Sequence, residues 1–398
     1  MSEQVIELRP ADFAVPADTP RWQSRALLIG VAGIVFCIIA GGLDLRDFLR
    51  GYLIAYMFWT GLSLGCMALL MVQYLTGGFW GLSVRRVLEA GAKNYWLMFI
   101  LFIPIVVLRY HLYAWMSDPA LTRENHWYLN QPAWIGRWVL YFLIWGFFTW
   151  QLCRRGDRHD APIVGQGTYP RFQGLSGFGL VVYSLTASFA AVDWVMSLDP
   201  HWGSTIYGFI FLISQGLSAL CFGIIMLTVL TRYSPYREII KPSQFHDLGK
   251  LTLAFVMLFA YFSFSQWLII WSGNLPDEIS WFLQRIRGAW GWVMIAIILL
   301  YFALPFALLL SRELKRAGRR LIGLAILLLV MGMVNIYWYV VPNFHDAKLF
   351  SIWYFAAPIG LGGLWVAMFF HNFRQRLLLP LYEPQVPKFL HQKAGHGH

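Results

Sequence analysis

The chain has 398 residues, of which 58% are hydrophobic and only 13% charged. Soluble domains carry about a quarter charged residues, so this composition excludes an ordinary soluble globule. The formal net charge of +11 does not mark a nucleic-acid binder, because the basic residues lie between long apolar runs instead of on one patch.

Ten apolar runs approach the ~20 residues that a helix needs to cross a bilayer. They cover residues 26–42, 50–75, 93–115, 133–153, 173–198, 204–230, 247–272, 287–311, 320–341 and 349–372. Only helices satisfy their own backbone in hydrocarbon without closing a barrel, so the fold class is an all-α integral membrane protein. Residues 1–24 are polar, contain Pro10, Pro16 and Pro20, and read as an N-terminal segment with no cleavable signal. The membrane domain then runs over 25–376, and 377–398 form a Pro-broken cytoplasmic tail whose three histidines after position 390 read as a solvated end.

In the second run Tyr56, Thr60 and Ser63 share one helix face. Residues 79–92 (FWGLSVRRVLEAGA) read as an amphipathic helix lying at the interface, anchored by Phe79, Trp80 and Leu82. Arg109 and His111 fall near the far end of the third run. The 116–132 loop is the largest connection on that side, and the 154–172 loop is polar, rich in Gly and Pro, and expected to be irregular.

The fifth run supplies Tyr183, Ser184, Ser188 and Asp193, and meets the sixth through SLDPHWGST. Pro200 lacks an N–H and pushes Asp199 out of helical dihedrals, so a helix ends near Leu198 and a tight hairpin follows. Two readings of Asp193 stand side by side: an ion pair with Arg109 that ties two helices, or a proton-exchanging carboxylate in a desolvating site. At the tip, Asp199 and His201 read first as a turn and second as a proton exit. Small polar groups such as Ser214, Gln215 and Ser218 either bond helix to helix or line a hydrated path. Asp247 with Lys250, opening the seventh run, reads as a helix anchor, with proton uptake as the weaker alternative.

Basic residues cluster on the side that holds both chain ends, including Arg85, Arg86, Arg154, Arg155, Arg232, Arg237, Arg316 and Arg319. The positive-inside rule makes that side cytoplasmic and turns the Asp199–His201 tip outward. Cys37, Cys66, Cys153 and Cys221 are scattered, with no CxxC or CxxCH, so the chain is expected to carry no iron–sulfur cluster and no covalent haem c. Its histidines fall near the two ends of the runs, not at mid-bilayer, which argues against a bis-histidine haem b.

Ten spans, both ends inside, no cofactor motif and the run DWVMSLDPHWGSTIYG (Asp193–Gly208) resemble the NrfD-like (polysulfide-reductase membrane subunit) family. Within it, the segment is most similar to the second such subunit of alternative complex III, the bacterial quinol:electron-acceptor oxidoreductase. The resemblance implies two four-helix bundles, spans two to five and six to nine, with spans one and ten peripheral. It implies a bacterial cytoplasmic membrane and membrane lipid as surroundings. It places the iron–sulfur clusters and c-type haems on partner subunits, beside a sister NrfD-like subunit that holds a quinol site. For this chain it implies proton movement coupled to quinol oxidation, with Asp193, Asp199 and His201 carried over only as members of the matching segment. Quinol or quinone binding by the chain itself is the alternative, using Arg109, His111 and Asp193. A secondary transporter is another, since Pro104, Pro305 and Pro358 interrupt spans, and a passive membrane scaffold is the last.

Overall fold

A computed structural model describes residues 13–42, 44–122, 126–157 and 172–390. Among these every regular element is helical, and nine helices are long and apolar enough to cross a membrane. The long elements are α1 (Thr19–Gly41), α2 (Leu45–Thr76), α3 (Phe79–Ala92), α4 (Tyr95–Leu101), α5 (Gln131–Asp157), α6 (Gln173–Trp194), α7 (Tyr207–Leu230), α8 (Pro242–Gly273), α9 (Pro276–Ile286), α10 (Ala289–Ile297), α11 (Gly318–Val340) and α12 (Trp353–Phe373). The fourth expected span, α5, is 27 residues long but falls outside the nine. It carries Arg137, Arg154 and Arg155, and much of its apolar surface comes from tryptophan, which scores low on hydropathy.

The chain reverses where local chemistry demands it. Asp44 caps α2 by accepting from the Asp47 N–H at 3.3 Å, and Gly77 (φ 71°) and Gly78 (φ 100°) turn the chain into α3. Asn274, at φ 50°, closes α8 in the left-handed conformation before Pro276 opens α9. Pro305 can neither donate to the carbonyl of Tyr301 nor sit close to it. The chain absorbs the misfit as a π-helical turn over Ile298–Ala303 between α10 and Leu304–Leu310. Pro104 acts similarly: α4 stops at Leu101, a short helix follows over Ile103–Val107, and a 3₁₀ turn over Arg109–His111 ends the third span well before residue 115.

Helices α2 and α7 form the centre. The apolar window of α2 is 94% buried, whereas that of α1 is only 11% buried. Around α2 stand α3, α6, α7 and α12; around α7 stand α6, α8 and α11. Helix α1 lies almost wholly on α12. Because lipid is as apolar as leucine, such docking rests on close packing and hydrogen bonds instead of water release. A Cβ on Gly33 would stand 2.6 Å from the Gly360 Cα, so only glycine lets these two backbones meet. The outward surfaces carry Leu28, Ile38, Ile39, Trp96, Phe178 and Trp292, as a lipid-facing wall should.

One expectation needs correction here. Residues 81–92 do not lie on an interface: they are buried between α2, α7 and α12. The amphipathic signal came from Arg85, Arg86 and Glu89, which form ion pairs inside the protein together with Glu383 and Arg376. Before the terminal histidines the tail packs on the protein: Leu378, Leu379, Leu381, Val386 and Phe389 are buried, and Leu378 N–H donates to Phe13 O at 2.8 Å. The terminal histidines beyond 390, and most of the 154–172 loop, lie outside the described residues.

Candidate functional site: a buried polar line

One end of the molecule holds the chain ends; the hairpin tip lies at the other. Near the tip, Asp193 has no solvent exposure. Its partner is not Arg109 but Arg137 of α5, whose Nε and Nη2 reach the two carboxylate oxygens at 2.8 and 2.7 Å. The Tyr141 hydroxyl donates to Oδ2 at 2.7 Å, and Arg137 also stacks 4.0 Å over the Tyr128 ring. A forked, charge-assisted pair is the strong geometry for a carboxylate. Residues 137 and 141 are one turn apart on α5, which presents both to α6. The Trp134 Nε1–H and the Ser197 hydroxyl donate to the backbone carbonyl of Asp193 at 2.9 and 2.6 Å. Arg109 instead donates to Val106 O at 2.7 Å and bonds Tyr110 and Gln131, while His111 is exposed. The trio of Arg109, His111 and Asp193 is therefore not assembled as a ligand site.

At the tip, Asp199 Oδ1 accepts from the His201 N–H at 3.3 Å, the local bond of an Asx turn, and His201 is exposed. Trp202 anchors the tip by stacking on Trp281 of α9, centroids 4.1 Å apart. Beneath that stack lies Arg285, fully buried and 3.6 Å from the Trp281 ring centroid. Its donors reach Trp281 O, Tyr339 O and Asn343 Oδ1 at 2.9, 3.1 and 2.8 Å. Burial pulls this guanidinium below its ordinary pKa, and the Tyr207 and Tyr339 rings and Asp199 only partly oppose it.

The stripe on α2 points into the core. Tyr56 packs against Phe102 and Trp194, with ring centroids at 5.0 and 5.8 Å. The Tyr56 and Thr60 hydroxyls are buried near each other, one turn apart on α2, with no other hydrogen-bond partner among the described residues. One turn on, Gly61 faces Gln215 of α7. Here α2, α7 and α11 enclose a cavity of about 20 Å³, lined by Ser214, Gln215, Ser218 and Asn335 among apolar residues. A water needs roughly 10–15 Å³ of such space and two to four polar neighbours, so this pocket suits one. Gln215 Oε1 accepts from the Tyr183 hydroxyl at 2.7 Å.

From there the polar groups continue toward the other face. Ser63 accepts from Trp365 Nε1 at 2.8 Å, the Trp365 carbonyl accepts from Asn94 at 2.9 Å, and Asn94 accepts from Asn372 at 3.0 Å. Glu89 follows, 1% exposed, with Arg85, Arg86 and Arg376 at 3.2, 2.6 and 2.7 Å. Arg85 also bonds Glu383 of the tail at 2.8 Å, and Arg376 pairs with Asp157. Ser184 and Ser188 are half-buried on α6. Asp247 pairs with Lys250 at 3.5 Å on the surface, where a helix-anchoring pair belongs and no bond of the buried line reaches.

Of the residues singled out from the sequence, Asp193, Tyr56, Thr60 and Ser63 are buried. Sequence reasoning missed Arg137–Tyr141, whose signal was their one-turn spacing in a span with few charges. It also missed Glu89, whose signal was the spacing of Arg85 and Arg86 to it. The comparisons add nothing to this geometry: no protein-family model matches the chain, and no curated protein does.

Proposed function

We propose that this chain is the proton-handling membrane subunit of a quinol:electron-acceptor oxidoreductase of the alternative complex III kind. It carries no electron carrier of its own and sits in a bacterial cytoplasmic membrane beside a sister NrfD-like subunit, an iron–sulfur subunit and c-type cytochromes. In this reading α5 is the tenth span, both termini are cytoplasmic, and spans two to five and six to nine form two bundles. Contacts of α2 with α6 lie within the first bundle and those of α7 with α8 and α11 within the second, while α2 joins α7 and also carries α12, the tenth span, on its flank.

The observation that carries the reading is a set of separate buried polar groups between the two ends: Asp193 with Arg137 and Tyr141, a water-sized polar cavity at Gln215, and Glu89 with its arginines. Buried hydroxyls without partners cost free energy unless water or a function accounts for them. The Asp193–Arg137 fork is a fixed charge at the outer end. Ser214, Gln215 and Ser218 line the cavity and would hold a bound water, and Tyr183 reaches it through its bond to Gln215. Asp199 and His201 stand at the mouth. Quinol binding by the chain itself has less support, because Arg109 and His111 do not converge with Asp193.

The test is gentle purification followed by haem staining and mass spectrometry, then proton release on quinol addition in vesicles. Co-purifying multihaem and iron–sulfur subunits, and proton release that falls in Gln215→Leu while electron transfer persists, are expected. A lone colourless chain that takes up solute by itself would sink the proposal in favour of a transporter.

A further inference from the structure

A second feature lies at the face that holds the chain ends, apart from the polar line. An open cavity of about 500 Å³ sits where α7 ends and α8 and α11 begin. Five cationic side chains line it: Arg232, Arg237, Lys241, Arg316 and Arg319. No acidic residue lines it, and none of the five has a carboxylate partner within 4 Å among the described residues. The nearest acids in sequence, Glu238 and Glu313, are exposed outside it; Glu238 accepts from the Ser234 hydroxyl at 3.4 Å. Phe245, Ile240 and Pro242 give the cavity an apolar floor.

Five like charges held around one space repel one another unless something anionic enters. The helix ends reinforce this. Helices α8 and α11, 32 and 23 residues long, both begin at the cavity, so the positive ends of two helix dipoles face it. Depth identifies the occupant's chemistry. Arg232 follows the last residue of the α7 span by two positions and Pro242 opens the α8 span, which puts the cavity at the level of phospholipid headgroups. Basic pockets between spans at that level suit phosphate groups, with acyl chains leaving along the apolar floor.

We propose that this cavity is a phosphate-binding site, built for the headgroup phosphate of an anionic phospholipid or for a free phosphate of matching charge. Guanidiniums grip phosphate oxygens in pairs, and Arg316, at the end of the short helix Arg312–Arg316, and Arg319, in the first turn of α11, both line the cavity.

The test uses the full chain in nanodiscs. Thermal stability is read in phosphatidylcholine alone, in phosphatidylcholine with added inorganic phosphate, and in discs containing phosphatidylglycerol or cardiolipin. Native mass spectrometry reads retained lipid. Stabilisation only in the anionic discs assigns the site to lipid; stabilisation by inorganic phosphate in neutral discs assigns it to a free anion. In either case R316Q/R319Q should weaken the effect on the order of 30-fold, as loss of two surface cations predicts. R316K/R319K, which keeps the charge but loses the paired N–H geometry, should restore only part of it, and Arg25→Gln, an exposed cation of α1, should change nothing. Equal behaviour of wild type and R316Q/R319Q in every disc, or an equal loss in Arg25→Gln, overturns the proposal. Circular dichroism on each variant separates lost binding from lost fold.

Discussion

At the residue scale, the Arg137–Asp193 fork decides more than any other pair. Removing one member of a buried ion pair strands the other charge, whereas removing both does not. Arg137→Ala should therefore destabilise the protein by roughly 3–5 kcal/mol, and the double variant R137M/D193L by much less. Denaturant unfolding followed by tryptophan fluorescence measures both; a double variant as weak as the single one would show that packing, not charge, holds α5 to α6. Asp346 offers a pH test outside the spans. Burial would raise its pKa, but Arg50, which it shares with Asp47, outweighs this and holds the carboxyl below its usual 3.8. A lowered folded pKa gives stability that is present above the unfolded pKa and lost as pH falls through the folded one. The melting-temperature gap between wild type and Asp346→Asn should thus be full near pH ~6 and close below pH ~3.8. It should also be small, because the side chain is 54% exposed. What the sequence hid at this scale is partnership. Asp193 announced itself as a charge in an apolar run, but Arg109 and Arg137 were equally eligible partners by position. Only the break at Pro104, which ends the third span early and turns Arg109 back on Val106 and Tyr110, removes the first.

At the element scale, periodicity and length made the long helices legible, and prolines marked most of their irregularities. Helix α3 was misread for a physical reason: an amphipathic pattern reports two chemically different faces, not which face meets lipid. Here the polar face meets Glu383 and Arg376 from the other end of the chain, about three hundred positions away. Helix α9 went unseen because its one strongly anchored face, Trp281 and Arg285, pairs with the hairpin tip and Tyr339, again far in sequence. The glycines of α1 and α12 are a sharper statement. Gly33→Val should cost about 1–3 kcal/mol by forcing two backbones apart, and cysteine crosslinking between neighbouring positions of α1 and α12 should weaken with it. Unchanged crosslinking would mean the helices meet elsewhere. Trp202→Ala should raise hydrogen exchange over residues 196–206 without changing exchange in α2, since the stack on Trp281 ties only the tip.

At the scale of the whole molecule, the alternation of helix directions puts Asp199, His201 and Arg285 at one end and both chain ends, Glu89 and the basic cavity at the other. The charge bias of the sequence orients this axis: the arginine-rich end should stay in the cytoplasm and the tip should face out. The four cysteines are all buried and free, so a cysteine introduced at an exposed position stands out against a quiet background. In intact cells stripped of their outer barrier, His201→Cys should react with a membrane-impermeant maleimide and Arg316→Cys should not; in inverted vesicles the order should reverse. The two sites make this decisive, because each is exposed and they sit at opposite ends of spans that alternate in direction. If Arg316→Cys were the one labelled from outside, the basic cavity would face the wrong leaflet. The orientation proposed from the charge bias would then be reversed, and the Asp199–His201 tip would face the cytoplasm.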